Sequence, residues 1–272
     1  MLTRLFAGFI FIFSLVYCIN ILASESQEIK IAYLTQKQQV PAALSNLAPF
    51  IEDKGLQGAL LGLKDNNTTG QFTQQNYFLE QVIVPIGGDV KQAFSQVLKQ
   101  GIQLVIVNLP AQQLVELHQL NNNQALLFDV ATRTDAFRKN QCLADVLHIL
   151  PSRAMRADAL AQYMLKKRWN RWFLVIGNTA EDALYAQAIK RSAKRFGMKI
   201  VAEKKWLHTY DARRTAQSDI PVFTQVDDYD VLVVADEQGL FGEYISCRGW
   251  VRGGGIGTQG LIATAWHPAH EQ

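Results

Sequence analysis

The feature that most constrains this chain is a repeated alternation of short apolar runs with longer amphipathic segments, which begins at Ile29. Several runs are apolar at consecutive positions, which is typical of a strand buried on both faces. The runs span residues 29–34, 77–86, 102–108, 124–130, 145–150, 172–177, 199–207, 229–236 and 260–266. Strands and helices in alternation predict an α/β fold with parallel sheets.

Start and stop signals predict helices between these runs. Thr179, with Asp182 three positions later, fits a capping box, and Gly197 predicts the end of that helix. Ser152 predicts the start of a second helix, and residues 89–101 predict a third. The apolar side chains expected on one side of the first helix are Leu184, Ala188, Ile189 and Phe196.

The number of strand–helix units fits either one wide sheet or two lobes. The segment HILPSRA, residues 148–154, is extended and contains Pro151, and a new series of units follows it. We therefore expect the chain to cross between lobes there. The predicted divisions are lobe one at 24–147, lobe two at 148–259 and the start of a return crossing to lobe one at 260–272.

The N-terminus has the pattern of a secretory signal peptide. Arg4 precedes an almost purely apolar stretch, residues 5–22, and Ala23 is a small residue at the expected cleavage position. We predict a signal peptide at 1–23 and a periplasmic mature protein. A membrane anchor is the alternative, because the apolar stretch is close to the lower length limit for crossing a bilayer.

Composition narrows the possible partners. The chain has 272 residues, is 49% hydrophobic and carries a net charge of +3, without a long basic block. These values argue against a nucleic-acid partner. Separately, we expect a monomer. An exported chain would keep Cys142 and Cys247, which could form a disulfide or stay apart, since sequence separation does not decide distance.

The order of several segments resembles the first lobe of type I periplasmic binding proteins, in the group of the branched-chain amino-acid receptors. These segments are IKIAYLTQ (29–36), GLQGALLGLKDNN (55–67), GIQLVIVNLP (101–110) and LLFDVATRTD (126–135). Three others resemble the substrate-binding proteins of ABC importers that are associated with pyrroloquinoline-quinone-dependent alcohol oxidation. They span residues 146–172, 230–245 and 257–272.

The resemblance implies a two-lobed type I fold of Rossmann-like parallel sheets flanked by helices. It implies a non-enzymatic receptor that binds a small polar ligand in the inter-lobe cleft and delivers it to an ABC permease. In that family a segment like residues 264–272 returns the chain to lobe one, so a C-terminally truncated chain with an incomplete lobe one is expected. A short protein with a disordered end is the alternative.

Ligands of open α/β sheets bind beyond the carboxyl ends of the strands, so residues that follow strands are candidate ligand contacts. The candidates are Asn108, Asp129, Ala131, Thr132 and Arg133 in lobe one, and Asn178, Glu181, Asp236 and Glu237 in lobe two. The resemblance places Ala131 and Thr132 where amino-acid receptors hold the ligand's carboxylate and ammonium. However, NLPAQQ (108–113) replaces the usual serine-rich loop. The ligand is expected to be polar, with a charge of undetermined sign.

Other motifs favour ordinary structural roles. The G-x-G-x-x-G pattern at 255–260 precedes a strand-like run rather than a helix, so no nucleotide cofactor is predicted. His267, His270 and Glu271 lack a further ligand, so no metal is predicted. No catalytic set stands out. A ligand-sensing module of the same fold, feeding a receptor or regulator, is the main alternative function, and a periplasmic enzyme is a third.

Overall fold

The computed structural model describes residues 26–39, 51, 53–207, 222–226, 228–237, 239 and 241, and the backbone of 261–264. Each predicted run overlaps a strand. The strands are β1 Gln27–Gln36, β2 Gln75–Val84, β3 Leu104–Asn108, β4 Leu126–Asp129, β5 Val146–His148, β6 Arg171–Ile176, β7 Lys199–Lys205, β8 Val231–Ala235 and β9 Leu261–Thr264. The helices are α1 Lys54–Thr73, α2 Val90–Lys99, α3 Ala111–Asn121, α4 Arg153–Lys167 and α5 Ala180–Phe196.

The chain divides into two compact units. Unit one comprises the described residues up to Thr132 and the segment Leu143–Ile149. Unit two comprises Arg133–Cys142 and the described residues from Leu150 onward. The functional assignment of 24–147 and 148–259 to two lobes stays a prediction.

The sheet of unit one is fully parallel, with the strand order β2-β1-β3-β4-β5. Its register places Thr35 beside Asn108 and Asp129 beside His148. Helix α2 starts where the Asp89 side chain accepts hydrogen bonds from two backbone N–H groups, and it buries Phe94 completely. The strands β3, β4 and β5 end in the polar residues Asn108, Asp129 and His148, which lie at the carboxyl edge of this sheet.

The sheet of unit two has the parallel order β7-β6-β8-β9. In β6, Trp172 and Leu174 pack with α4 and α5 on one face. Phe173 and Val175 pack on the opposite face, in a cluster with Trp206 and other aromatic residues. Both faces of β6 are covered, which explains why apolar residues occupy consecutive positions in it. Trp172 is fully buried.

The predicted helix starts in unit two are confirmed. Ser152 accepts a hydrogen bond from the N–H of Met155, and Thr179 forms a reciprocal capping box with Asp182. Of the apolar side chains predicted on one side of α5, Ala188 and Ile189 are buried, whereas Leu184 is 50% exposed. The neighbouring Tyr185 is buried and packs in the same core cluster as Ala188 and Ile189.

Some sequence predictions fall outside the described residues. These include the signal peptide at 1–23, Cys247 and the group His267, His270 and Glu271. Cys142 is described and exposed, but its pairing with Cys247 stays a prediction. Within the described ranges, no helix combines the length and the apolar character needed to cross a membrane.

Candidate ligand-binding site

Asp129 organises the loop that follows β4. Its side chain is fully buried, and Oδ1 accepts hydrogen bonds from the N–H groups of Ala131 (3.1 Å) and Thr132 (2.9 Å). Oδ2 accepts a hydrogen bond from the Thr132 hydroxyl and lies 2.7 Å from Nδ1 of His148. The structure thus brings three predicted ligand contacts together, but their polar atoms bond to one another. Their contact with a ligand stays a prediction.

Asn108 occupies the same edge of unit one. Its side-chain NH₂ group donates a hydrogen bond to the Tyr33 hydroxyl (2.9 Å), and its backbone carbonyl accepts a hydrogen bond from the Thr35 hydroxyl (3.2 Å). A side chain at Gly55, in the first turn of α1, would collide with the Tyr33 hydroxyl. Burial raises the pKa of Tyr33 more than its hydrogen bonds with Asn108 and Thr35 lower it. Tyr33 therefore keeps its proton and can donate a hydrogen bond.

A cluster of charged side chains lies at the corresponding edge of unit two, after β8. Glu237 accepts hydrogen bonds from Nη2 of Arg153 at Oε2 (2.9 Å) and from Nη1 of Arg156 at Oε1 (3.2 Å). Nη1 of Arg133 lies 4.0 Å from Oε2. Three guanidinium groups thus surround one carboxylate, and we call these four residues the arginine–glutamate cluster.

The helix starts hold this cluster in place. Asp182 is 1% exposed and accepts hydrogen bonds from the N–H of Glu237 (2.7 Å) and from the N–H of Thr179 (2.9 Å). One buried carboxylate therefore ties the loop after β8 to the start of α5. A Cβ atom at Gly177 would collide with the Asp182 carboxylate, so this junction requires glycine.

Two of the arginines come from the first turns of α4. Arg153 and Arg156 are three positions apart, which places their side chains on the same side of the helix. The carbonyl of Arg133 accepts a hydrogen bond from the N–H of Arg153 (3.0 Å), which anchors the third arginine to the same helix start. The Arg156 guanidinium also lies over the buried Tyr185 ring, 4.6 Å from its centroid.

The cluster is electrostatically positive at its accessible side. The pKa of Arg133 is lowered, and burial is the largest cause. The positive charge of Arg156 lowers this pKa further, and its effect is larger than the opposing effect of Glu237. The side chains of Arg133 and Arg156 are 29% and 17% exposed, against 9% for both Arg153 and Glu237. Solvent therefore reaches the cationic groups more readily than the carboxylate.

The other predicted residues of lobe two are Asn178, Glu181 and Asp236. Asn178 and Glu181 are exposed, and no hydrogen bond or ion pair joins them to the cluster in the part of the chain that the structure describes. Asp236 accepts hydrogen bonds from the N–H groups of Gly239 (3.0 Å) and Phe241 (2.6 Å), and so shapes the loop after β8. Ligand contacts by these three residues stay predictions.

Several residues at these edges are not evident from the sequence. His148, Tyr33 and Tyr185 lie within apolar runs or helix faces, where they read as core residues. Arg153 and Arg156 read as surface cations at the start of a helix. The spacing of these two arginines after the Ser152 cap was the one available signal, because it predicts a shared side of α4.

Solved structures similar to this chain are solute-binding proteins. The leucine-, isoleucine-, valine-, threonine- and alanine-binding protein of Brucella ovis, in its closed conformation, has a TM-score of 0.60 at 16% identity, and the match covers 88% of this chain and 60% of that chain. An ABC transporter substrate-binding protein from Desulfitobacterium hafniense in complex with Leu has a TM-score of 0.52 at 17% identity, with coverages of 80% and 61%. A periplasmic binding protein from Burkholderia mallei has a TM-score of 0.53 at 12% identity, with coverages of 90% and 62%.

These similarities establish the fold. The chain has the parallel-sheet α/β architecture with flanking helices of the type I periplasmic binding fold, and its sheets are incomplete relative to that fold. It spans about three fifths of the length of the solved structures that it matches. No protein-family model matches the chain, and no curated protein matches its sequence.

Proposed function

We propose that this chain is the solute-binding component of an ABC importer and that it binds a small polar ligand without transforming it. The similar solved structures are ABC transporter substrate-binding and periplasmic binding proteins rather than enzymes. Fold alone does not fix function, so the proposal also needs a suitable site in this chain.

The observation that carries the proposal is the position of the polar side chains. Asn108 and Asp129 lie at the carboxyl ends of strands in unit one, and Glu237 follows a strand in unit two. Parallel α/β sheets bind their ligands at these ends. We include Ala131, Thr132, Arg133, Asn178, Glu181 and Asp236 in the proposed ligand-contacting set.

The cellular setting is part of the same proposal. A cleaved signal peptide, a periplasmic location, a monomeric state and an inner-membrane permease as partner all suit a solute-binding protein. A link to quinoprotein alcohol oxidation is proposed only from the resemblance of residues 146–172, 230–245 and 257–272. Detection of the chain in the periplasmic fraction, without the N-terminal apolar segment, would support this setting.

A ligand panel tests the proposed function. Thermal unfolding of the full chain would be followed with neutral amino acids, carboxylates, amines and sugars at equal ionic strength. One chemical class should raise the midpoint, because a ligand at 100 times its Kd stabilises the folded state by about 2.7 kcal/mol. A flat response to every class, together with chemical turnover of any of them, would contradict a binding role.

A further inference from the structure

We infer that the arginine–glutamate cluster of unit two binds the carboxylate group of a small anionic solute. This inference rests on the proposed function, since it names the class of solute that such a binding protein would take. Arg133 and Arg156 are the more accessible residues of the cluster, and Arg153 and Glu237 are largely buried.

Glu237 is already engaged as an acceptor. Each of its carboxylate oxygens accepts a hydrogen bond from a different arginine, and its side chain is 9% exposed. A ligand ammonium or amine would have to displace a guanidinium from a largely buried carboxylate, which is unfavourable because it leaves a buried charge without its partner. The acid that the sequence suggests as a ligand contact therefore selects against a cationic ligand at this point.

The charge balance of the cluster favours an anion. Three guanidinium groups face the single carboxylate of Glu237. The repulsion that Arg133 receives from Arg156 exceeds its attraction to Glu237. A negative group between these two arginines would relieve that repulsion.

The cluster also contains an unused donor. The Nε atom of Arg153 is buried and has no hydrogen-bond partner among the described residues. A buried donor of this kind is costly to leave unsatisfied. Arginine presents its N–H groups in a planar fork that matches a carboxylate, so the guanidinium groups supply the geometry as well as the charge.

The backbone argues for a carboxylate rather than a phosphate. Phosphate sites commonly use free N–H groups at a helix start. At the start of α4, the N–H of Arg153 donates to the Arg133 carbonyl, that of Ala154 to Asp135 and that of Met155 to Ser152. These donors are occupied, so the available groups are the guanidiniums.

The test measures how the urea midpoint of the full chain responds to defined probes at fixed ionic strength and pH 7. The probes are succinate, its neutral isostere succinamide, inorganic phosphate and L-leucine. The variants are Arg133→Gln and Arg133→Lys. Arg195→Gln is the matched control, because this exposed arginine pairs with Asp158 outside the cluster. Each midpoint without a probe shows whether the variant folds.

Succinate should raise the midpoint of the wild type and of the control, whereas succinamide should not. The apparent Kd for succinate should increase about tenfold or more in Arg133→Gln and less in Arg133→Lys. Stronger stabilisation by phosphate, with the same dependence on Arg133, would overturn the carboxylate assignment. Stabilisation by L-leucine alone, unchanged in Arg133→Gln, would overturn the inference while the proposed function stands. No response to any of the four probes would overturn the inference, and the broader ligand panel would then decide the proposed function.

Discussion

Replacement of Glu237 by glutamine tests the electrostatic description of unit two. Glutamine keeps the shape of the side chain but removes its charge, and its NH₂ group faces one of the two arginines that now donate to the carboxylate. Breaking a buried ion pair costs about 3–5 kcal/mol, and a charged hydrogen bond contributes about 1.5–3 kcal/mol. Because glutamine can still accept one hydrogen bond, we expect a loss of about 3 kcal/mol.

Urea unfolding followed by tryptophan fluorescence is the appropriate assay. All five tryptophans follow residue 150, and Trp172 and Trp206 are buried in unit two, so the signal reports that unit. With an m-value of about 2–3 kcal/mol/M, the midpoint should fall by about 1–1.5 M. The control Glu203→Gln removes the half-exposed partner of Lys190 and should cost less than about 1 kcal/mol. Equal effects of the two substitutions would refute the reasoning.

Three further substitutions test other parts of the structure. Met164→Ala should destabilise unit two by about 2–5 kcal/mol in urea unfolding, because the side chain is fully buried between α4 and the sheet; a loss below about 1 kcal/mol would be inconsistent with that packing. Gly177→Ala should destabilise the start of α5, since its methyl group would collide with the Asp182 carboxylate, whereas Gly58→Ala meets open space on a helix and should be neutral or stabilising by up to about 1 kcal/mol. The pKa of Asp158 is lowered in the folded protein. Burial alone would raise this pKa, but hydrogen bonds from Ser192 and Arg191 and the positive charges of nearby arginines outweigh the effect of burial. The Asp158 carboxylate therefore stabilises the fold above its unfolded pKa, and this contribution is lost as the pH falls through its folded pKa. Asp158→Asn should lower the urea midpoint at pH 7 but much less at pH 3. An equal loss at both pH values would argue against this assignment.

The sequence was sufficient to predict the strands and the starts of α2, α4 and α5, because these depend on local patterns. Trp172 to Val175 are apolar at consecutive positions, and the structure covers β6 on both faces. The capping box at Thr179 needs only a spacing of three residues. Leu184 shows the limit of this approach, because a face that is wrong by one position turns about 100° around the helix.

The candidate site was only partly predictable, because its charge depends on long-range pairing. Glu237 follows a strand and could be identified, but its two hydrogen-bond donors are more than 80 positions earlier. Asp129 could likewise be identified as a residue after a strand, whereas its contact with His148 needs the parallel register of β4 and β5. The sequence left the sign of the ligand's charge open for the same reason.

Native mass spectrometry of the chain, isolated without refolding, tests the central claim most directly. We expect a releasable small adduct that contains a carboxylate and whose occupancy falls in Arg133→Gln but not in the control Arg195→Gln. An adduct that is cationic, or whose occupancy is equal in the two variants, would contradict binding at the arginine–glutamate cluster.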